Sequence, residues 1–409
     1  MRILLITQTF PPEMRAEAFC VGKLTMALQD SGHHVSVVCR KPSHLPPDGA
    51  QDAGLWARLP VPEQPAEPQA RSMRKLGALA ARMRFLSPGI GGFLPKLYRH
   101  SRAILERDSF DWIVTGSPSS PTAHLGWALK RRYGVRWACL FNDPSPWCLS
   151  PAPYASGNAE GLCDRFQIWR ARACLTHADA ILAPTRRLLQ LIARGYALDV
   201  DRRGIVVPHI GWRSRQQDAL QCNGCHHVVH LGSLVHHRSS RLLAATLIAL
   251  NEQIRDRRLP AALRFFGPSL DGRWLEGVFG GDADAVRYCG TLGYAESLET
   301  MQKASGLMLV EAVMETGVYL PSKLADYAAS GRPVLMFSPP NGTVADLVGG
   351  FSHPGFLGQD PDVASARIIQ FLERAVAGED LSGYRFPTAD VFAPESVAGA
   401  LIGGLESLR

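Results

Sequence analysis

The sequence predicts an α/β protein made of two doubly wound parallel-sheet domains. Three observations carry that expectation. Short apolar stretches alternate with stretches of helical period along the chain, the pattern of strand–helix units in parallel sheets. The apolar stretches form two sets of five or six. Between the sets lies HIGWRSRQQDALQCNGCH at 209–226, where the period is lost and the chain turns polar. Finally, 409 residues with 46% hydrophobic content suffice for two ordinary globular cores.

Taken in order, the first set of strands is expected at Arg2–Thr7, His34–Cys39, Trp112–Thr115, Trp137–Phe141, Ala180–Ala183 and Ile205–Val207. A helix should follow the first strand and run to Gly32, with Val21, Leu24 and Leu28 facing inward. Residues 42–69 carry seven prolines and read as an irregular insertion. The second set is expected at Val228–Leu231, Leu263–Phe266, Val286–Cys289, Gly306–Val310 and Pro333–Phe337. Before that last strand, Leu324, Tyr327 and Ala328 mark one face of a short helix that Gly331 ends. A final helix over Glu395–Leu408, after Pro394, is expected to pack back on the first domain. The expected domains are therefore 1–210 together with 395–409, and 211–394. No internal repeat is visible.

Composition narrows the function classes. No apolar run approaches the roughly 20 residues that span a bilayer. The opening MRILLITQTF is too short in its apolar part for a signal peptide and reads as a buried strand. Nine scattered cysteines suggest reduced thiols and a cytoplasmic chain. Cys222-Asn-Gly-Cys225-His226-His227 matches a haem-attachment pattern and offers four zinc-ligand types. Without an export signal or a second ligand pair, a turn at Asn223-Gly224 is the preferred reading. The net charge is +7, and residues 71–100 hold seven Lys or Arg and no acid. Leu76, Leu79, Ala80, Met83 and Leu86 fall on one stripe there, opposite Arg71, Lys75 and Arg82. Such a segment can lie on an anionic inner membrane face, or pack as an ordinary solvated helix. Its basic residues alternate with aliphatics rather than stacking aromatics, which argues against nucleic acid.

In doubly wound sheets, ligands bind beyond the carboxyl ends of the strands. The candidate residues are sought there. After the first strand, the loop Thr7–Ala16 presents a helix N-terminus and Arg15, a possible phosphate fork. After the second domain's first strand come Gly232, Ser233 and Arg238. The glycine allows close approach of a ligand, and Arg238 can reach a phosphate. The stretch ETGVYLPSKLADYAASGRPVL at 315–335 offers backbone donors around Glu315, Gly317, Val318 and Leu320. Lys323 in the following first helical turn wants an anionic partner, because a cation is disfavoured at a helix N-terminus. Asp326, three residues on and on the same side, can accept from the two hydroxyls of a ribose. The bland alternative is a Lys323–Asp326 surface pair worth under about 1 kcal/mol. Elsewhere, His124 opens a helix after the third strand, and Asp143 follows the next.

With those motifs in place, the chain resembles the family 4 glycosyltransferases of the GT-B fold over nearly its whole length. The likeness rests on MRILLITQTFPPE, on GYAESLETMQKASGLMLV and above all on PSKLADYAASGRPVL. The last is similar to a variant found among bacterial enzymes that build surface polysaccharides. The resemblance implies a cleft between two domains that closes over a nucleoside diphosphate sugar, with UDP-sugar favoured. It implies no metal or other cofactor, and transfer with retention of configuration to a glycan or lipid-linked acceptor. Arg238 and Lys323 are then expected on the diphosphate, with Arg15 as a third cation, and Asp326 on the ribose. His124 is expected beside the transferring sugar and Asp143 beside the acceptor hydroxyl. Phe266, Gly267 and Gly290 are expected to grip the base through backbone atoms. The family's paired glutamates would fall on Val318 and Asp326, and its phosphate-binding Arg and Lys on Ser233 and Arg238. Those departures keep an alternative open: a weakly active subunit that binds nucleotide or partner as a scaffold. A GT-B sugar-nucleotide 2-epimerase is a further rival.

Overall fold

The structure is a computed structural model that describes residues 1–13, 15–40, 54–60, 62, 94–117, 120–159, 161–212, 226–234, 236–281 and 283–408. It divides into two compact units. One comprises Met1–His209 and Pro394–Arg409, the other Ile210–Ala393. The cysteine–histidine run at 222–225 and most of the basic stretch, 71–93, lie outside the described residues.

The first unit holds one six-stranded sheet, all of it parallel, in the order β2-β1-β3-β4-β5-β6. Its strands are β1 Arg2–Thr7, β2 His34–Cys39, β3 Trp112–Ser117, β4 Arg136–Phe141, β5 Ala180–Ala183 and β6 Gly204–Val206. Helices α1 Ala16–Asp30, α2 Leu94–Arg107, α3 Ser120–Tyr133, α4 Leu162–Leu175 and α5 Arg186–Tyr196 connect them. β1 reads RILLIT and is buried from its second residue on, because helices cover both faces of a parallel sheet. The core gathers Leu4, Ile6, Val38, Ile113, Trp137 and Ile181. Trp137 fits only because Gly126 faces it: a Cβ there would sit 2.1 Å from the indole nitrogen. That nitrogen donates to Thr115 Oγ1 at 2.9 Å. At the start of α2, residues 94–100 of the basic stretch are helical, with Leu97 buried.

The second unit repeats the plan with the order β12-β11-β10-β7-β8-β9. Its strands are β7 His226–Leu231, β8 Ala261–Phe266, β9 Val286–Tyr288, β10 Gly306–Val310, β11 Val334–Phe337 and β12 Phe356–Gly358. The helices are α6 Arg241–Asp256, α7 Ser269–Phe279, α8 Tyr294–Lys303, α9 Ser322–Ser330, α10 Thr343–Val348 and α11 Pro361–Val376. β12 is not among the expected strands. Two apolar residues, Phe356 and Leu357, between Gly355 and Gly358 are too short a run to read. α9 carries the expected buried face of Leu324, Tyr327 and Ala328, and Gly331 closes it in the left-handed region at φ 69°.

The last helix, α12 Pro394–Ser407, belongs to the first unit and packs on α1 and β6. The doubly wound, two-sheet class expected from the sequence is the observed one. Among the described residues no helix is long and apolar enough to cross a membrane.

Candidate active site

Each sheet has one place where the chain reverses its direction of winding. In the second unit it lies between β7 and β10, which are neighbours although β8 and β9 intervene in sequence. Beyond the carboxyl ends of those strands and their neighbours stand Gly232, Glu311, Ser338 and Gly267. Lys323 and Arg238 arrive there from α9 and from the single turn His236–Arg238.

Lys323 is the centre of this group. Its residue keeps some exposed surface, but its ammonium is enclosed, 3.4 Å from His230 Nε2. Burial pushes the Lys323 pKa well below the ordinary lysine value; Arg238 adds to that, and Asp271 opposes it. Among the described residues no carboxylate forms an ion pair with Lys323 or Arg238. Gly232 makes the close approach possible. It sits at φ +109°, and a Cβ on it would lie 2.8 Å from Lys323 Nζ. The imidazole of His230 is fully enclosed, with Nδ1 2.8 Å from the Met308 carbonyl and Nε2 2.9 Å from the Gly232 carbonyl. Burial, then Lys323, pushes its pKa well below the usual histidine range. A neutral His230 has one N–H to donate, to Met308 from Nδ1 or to Gly232 from Nε2, and only the first tautomer leaves Nε2 able to accept from Lys323. The Arg238 guanidinium, the enclosed Lys323 amine and the His230 imidazole, with no ion-paired carboxylate on either basic side chain among the described residues, form a site suited to an anion.

Glu311 completes the shell. Its carboxylate accepts from the Ser338 hydroxyl. Burial pushes its pKa up to about 7, against the Ser338 hydrogen bond and Arg238. Asp271 Oδ2 accepts from the Leu234 N–H at 2.8 Å and holds the loop after β7. Arg238 Nη1 donates to the Ser233 carbonyl at 3.3 Å. The reading from sequence missed His230, Glu311, Ser338 and Asp271. His230 passed as one residue of a strand, although an acid directly after GLMLV, as Glu311 is, was a legible signal.

Several expected roles change. Asp326 is 5% exposed. Its Oδ1 accepts from the Trp212 N–H at 2.9 Å, and its Oδ2 from the Tyr294 hydroxyl at 3.0 Å. The carboxylate therefore ties α9 to α8 and to the start of the unit. Lys323 and Asp326 share a helix end but take different neighbours. The Gly317 N–H donates to the Asn341 carbonyl at 2.8 Å, so it is not an open donor. Val318 and Leu320 are buried in the core, while Glu315 is exposed. Phe266 and Gly267 use their backbone within the unit. The Phe266 carbonyl accepts from Gly232, and the Gly267 N–H donates to the Gly290 carbonyl. The Gly267 carbonyl accepts from Tyr288 and Thr291 hydroxyls.

The first unit places its candidates at its own switch point, between β1 and β3. Arg15 caps α1 with an exposed side chain, and its Nε lies 3.2 Å from Oε1 of the fully buried Glu13. Arg15 thus already has an anionic neighbour. His124 is half-buried on α3, and Asp143 is exposed after β4. Glu17, unnoticed in the sequence, faces Asp143. Burial first and Asp143 second push its pKa up to about 7, with Thr9 and Arg15 opposing. Glu17 and Asp143 are a carboxyl pair in which one member favours its proton.

Residues 18–211 match the family described as glycosyl transferase 4-like domain. The match spans most of the first unit of this chain. Its fold is shared by sucrose-phosphate synthase from Thermosynechococcus elongatus, with TM-score 0.64, 17% identity and 100% of each chain covered. Anabaena HepE, solved with UDP and glucose, gives TM-score 0.64 at 13% identity, again with both chains fully covered. The UDP-GlcNAc 2-epimerase of Neisseria meningitidis gives TM-score 0.57 at 10% identity over the full length of both chains. At such identities the likeness is one of fold. No curated protein matches the sequence.

Proposed function

We propose that this glycosyltransferase moves a sugar from a nucleoside diphosphate sugar, a UDP-sugar by preference, to a hydroxyl of a lipid-linked glycan during surface polysaccharide synthesis. In this reading it is retaining and metal-independent, and it works in the cytoplasm at the inner membrane face. The observation that carries the donor site is the enclosed Lys323 ammonium beside Arg238, with no carboxylate paired to either among the described residues. Fixed cations of this kind stabilise the charge that develops on a departing diphosphate. They supply what a divalent metal would otherwise supply. Binding a diphosphate would restore the Lys323 charge that burial disfavours. The preference for UDP draws on HepE, whose structure holds UDP and glucose. Retention and the acceptor class rest on the resemblance of PSKLADYAASGRPVL.

The transfer itself breaks the anomeric carbon–oxygen bond through an oxocarbenium-like transition state. Lys323 and Arg238 hold the leaving diphosphate. The acceptor hydroxyl attacks from the same side and passes its proton to a phosphate oxygen. Asp143 and His124 would orient the acceptor and the sugar.

One observation favours a second reading. Val318, at the position of the family's first glutamate, is packed in the core, and Ser233 stands where the family has Arg. A nucleotide-binding scaffold subunit would tolerate both. The deciding experiment is thermal unfolding with UDP, GDP, ADP, CMP and dTDP, on the wild type, Lys323→Ala and Arg238→Ala. At roughly a hundredfold excess over Kd, one nucleotide should stabilise the wild type by about 3 kcal/mol. Both variants should lose that shift. No shift with any nucleotide overturns the donor site. A shift without turnover of the matching nucleotide sugar favours the scaffold, and release of an epimerised sugar nucleotide favours the epimerase.

A further inference from the structure

We propose that the outer face of α4 docks the protein on a bilayer surface containing anionic lipid. α4 is apolar on two sides, and only one side is used by the core. Its inner side buries Ala171, Cys174 and Leu175. On its outer side Leu162 is 80% exposed, Phe166 37% and Trp169 64%. Those three residues recur at i, i+4 and i+7, so they form one stripe along the helix. Among the described residues no other helix leaves three large apolar side chains exposed. The rings of Phe166 and Trp169 lie 5.7 Å apart and form one continuous patch.

Charge selects the occupant. Arg165 and Arg172 are exposed along one edge of the stripe. Along the other edge the Arg170 guanidinium stands 5.9 Å over the Phe166 ring. Asp164, the acid in this helix, falls about 200° around from Leu162 at 100° per residue, on the far side. Trp and Phe inserted at headgroup depth, with arginines beside them, are what an anionic interface accommodates. A twofold contact between copies would set these arginines against one another, which disfavours a dimer. The site differs from the 71–100 stretch to which sequence alone points. The proposal deepens the lipid-linked acceptor reading and rests on it for its purpose, since docking would bring the first unit to such an acceptor.

The test is co-sedimentation of the full chain with phosphatidylcholine vesicles, with or without about 30% phosphatidylglycerol, at about 0.05 M and 0.5 M salt. The wild type should bind the anionic vesicles and release at high salt. The triple variant Leu162→Ser, Phe166→Ser, Trp169→Ser should bind about tenfold more weakly or worse. Arg165→Gln with Arg172→Gln should lose the preference for phosphatidylglycerol. Melting temperature and the nucleotide shift, measured on the same samples, separate the two readings. A variant that keeps both but leaves the vesicles supports docking through α4. Vesicle binding without any nucleotide shift would sink the donor reading alone. Failure of the wild type to bind anionic vesicles, or undiminished binding by the triple variant, overturns the proposal. A concentration-dependent dimer that the triple variant abolishes, without vesicle binding, overturns it in favour of a second copy.

Discussion

Lys323 is a cation held where cations are costly. It sits in the first turn of α9, beside Arg238, with its ammonium enclosed. Removing it from the empty protein should therefore leave stability unchanged or raise it. Asp326, three residues on, behaves in the opposite way. Asp326→Ala would strand the Trp212 N–H and the Tyr294 hydroxyl, at about 2 to 4 kcal/mol without any nucleotide present. Differential scanning of the two variants checks this contrast, and equal melting temperatures would refute it. Glu311 gives a pH signature. Its folded pKa, about 7, stands above the ordinary 4.5, so its stabilising contribution is complete below about 4.5 and is lost as pH rises through about 7. Glu17 shares that sign, and His230, pushed down, has the opposite one. The wild type minus Glu311→Gln difference isolates Glu311. The wild type should lose roughly 2 kcal/mol more than the variant between pH 5 and pH 8.

At the scale of elements, the loops after β7, β10 and β11 make the site because parallel strands all end on one edge. Each loop is held by internal hydrogen bonds rather than left open. Gly317 and Gly342 pair backbone to backbone, and Gly232 accepts its strained φ only because it has no Cβ. Gly232→Ala would force φ +109° on an L-residue and drive a methyl towards Lys323 Nζ. A loss of about 2 kcal/mol in stability is expected, together with at least about tenfold in nucleotide affinity. Isothermal titration checks the second figure; a wild-type affinity would show that the loop is not the phosphate cradle.

Across the whole molecule, the first unit is completed by the far end of the chain. α12 buries Val397, Ala398, Leu401 and Leu405. Gly404 lies so close to Ile205 of β6 that a Cβ would stand 2.7 Å from it. The Arg136 guanidinium donates to the Leu408 carbonyl. Each fully buried aliphatic side chain is worth about 1.5 to 3 kcal/mol, so α12 rivals the net stability of an ordinary domain. A chain truncated after Ala393 should therefore lose the cooperative unfolding and amide protection of 1–209. Hydrogen exchange resolves this, and intact protection in that unit would contradict it.

Much of the architecture was legible because its signals are local. The apolar runs at Arg2–Thr7, His34–Cys39 and Gly306–Val310 are strands, and the run after Pro321 is a helix ended by Gly331, since hydrophobic period and glycine punctuation act over a few residues. The spacing of Leu324, Tyr327 and Ala328 marked the buried face of α9. What the tertiary structure decided involves partners far apart in sequence. Strand order put β7 beside β10, and so brought His230 and Lys323 together across 93 positions. Asp326 found Trp212 and Tyr294, a partnership no helical spacing reveals. α4 kept Leu162, Phe166 and Trp169 outside because its other face already filled the core. Local period determines which segments are strands and helices. Burial and charge compensation depend on long-range neighbours, and only the folded chain supplies those.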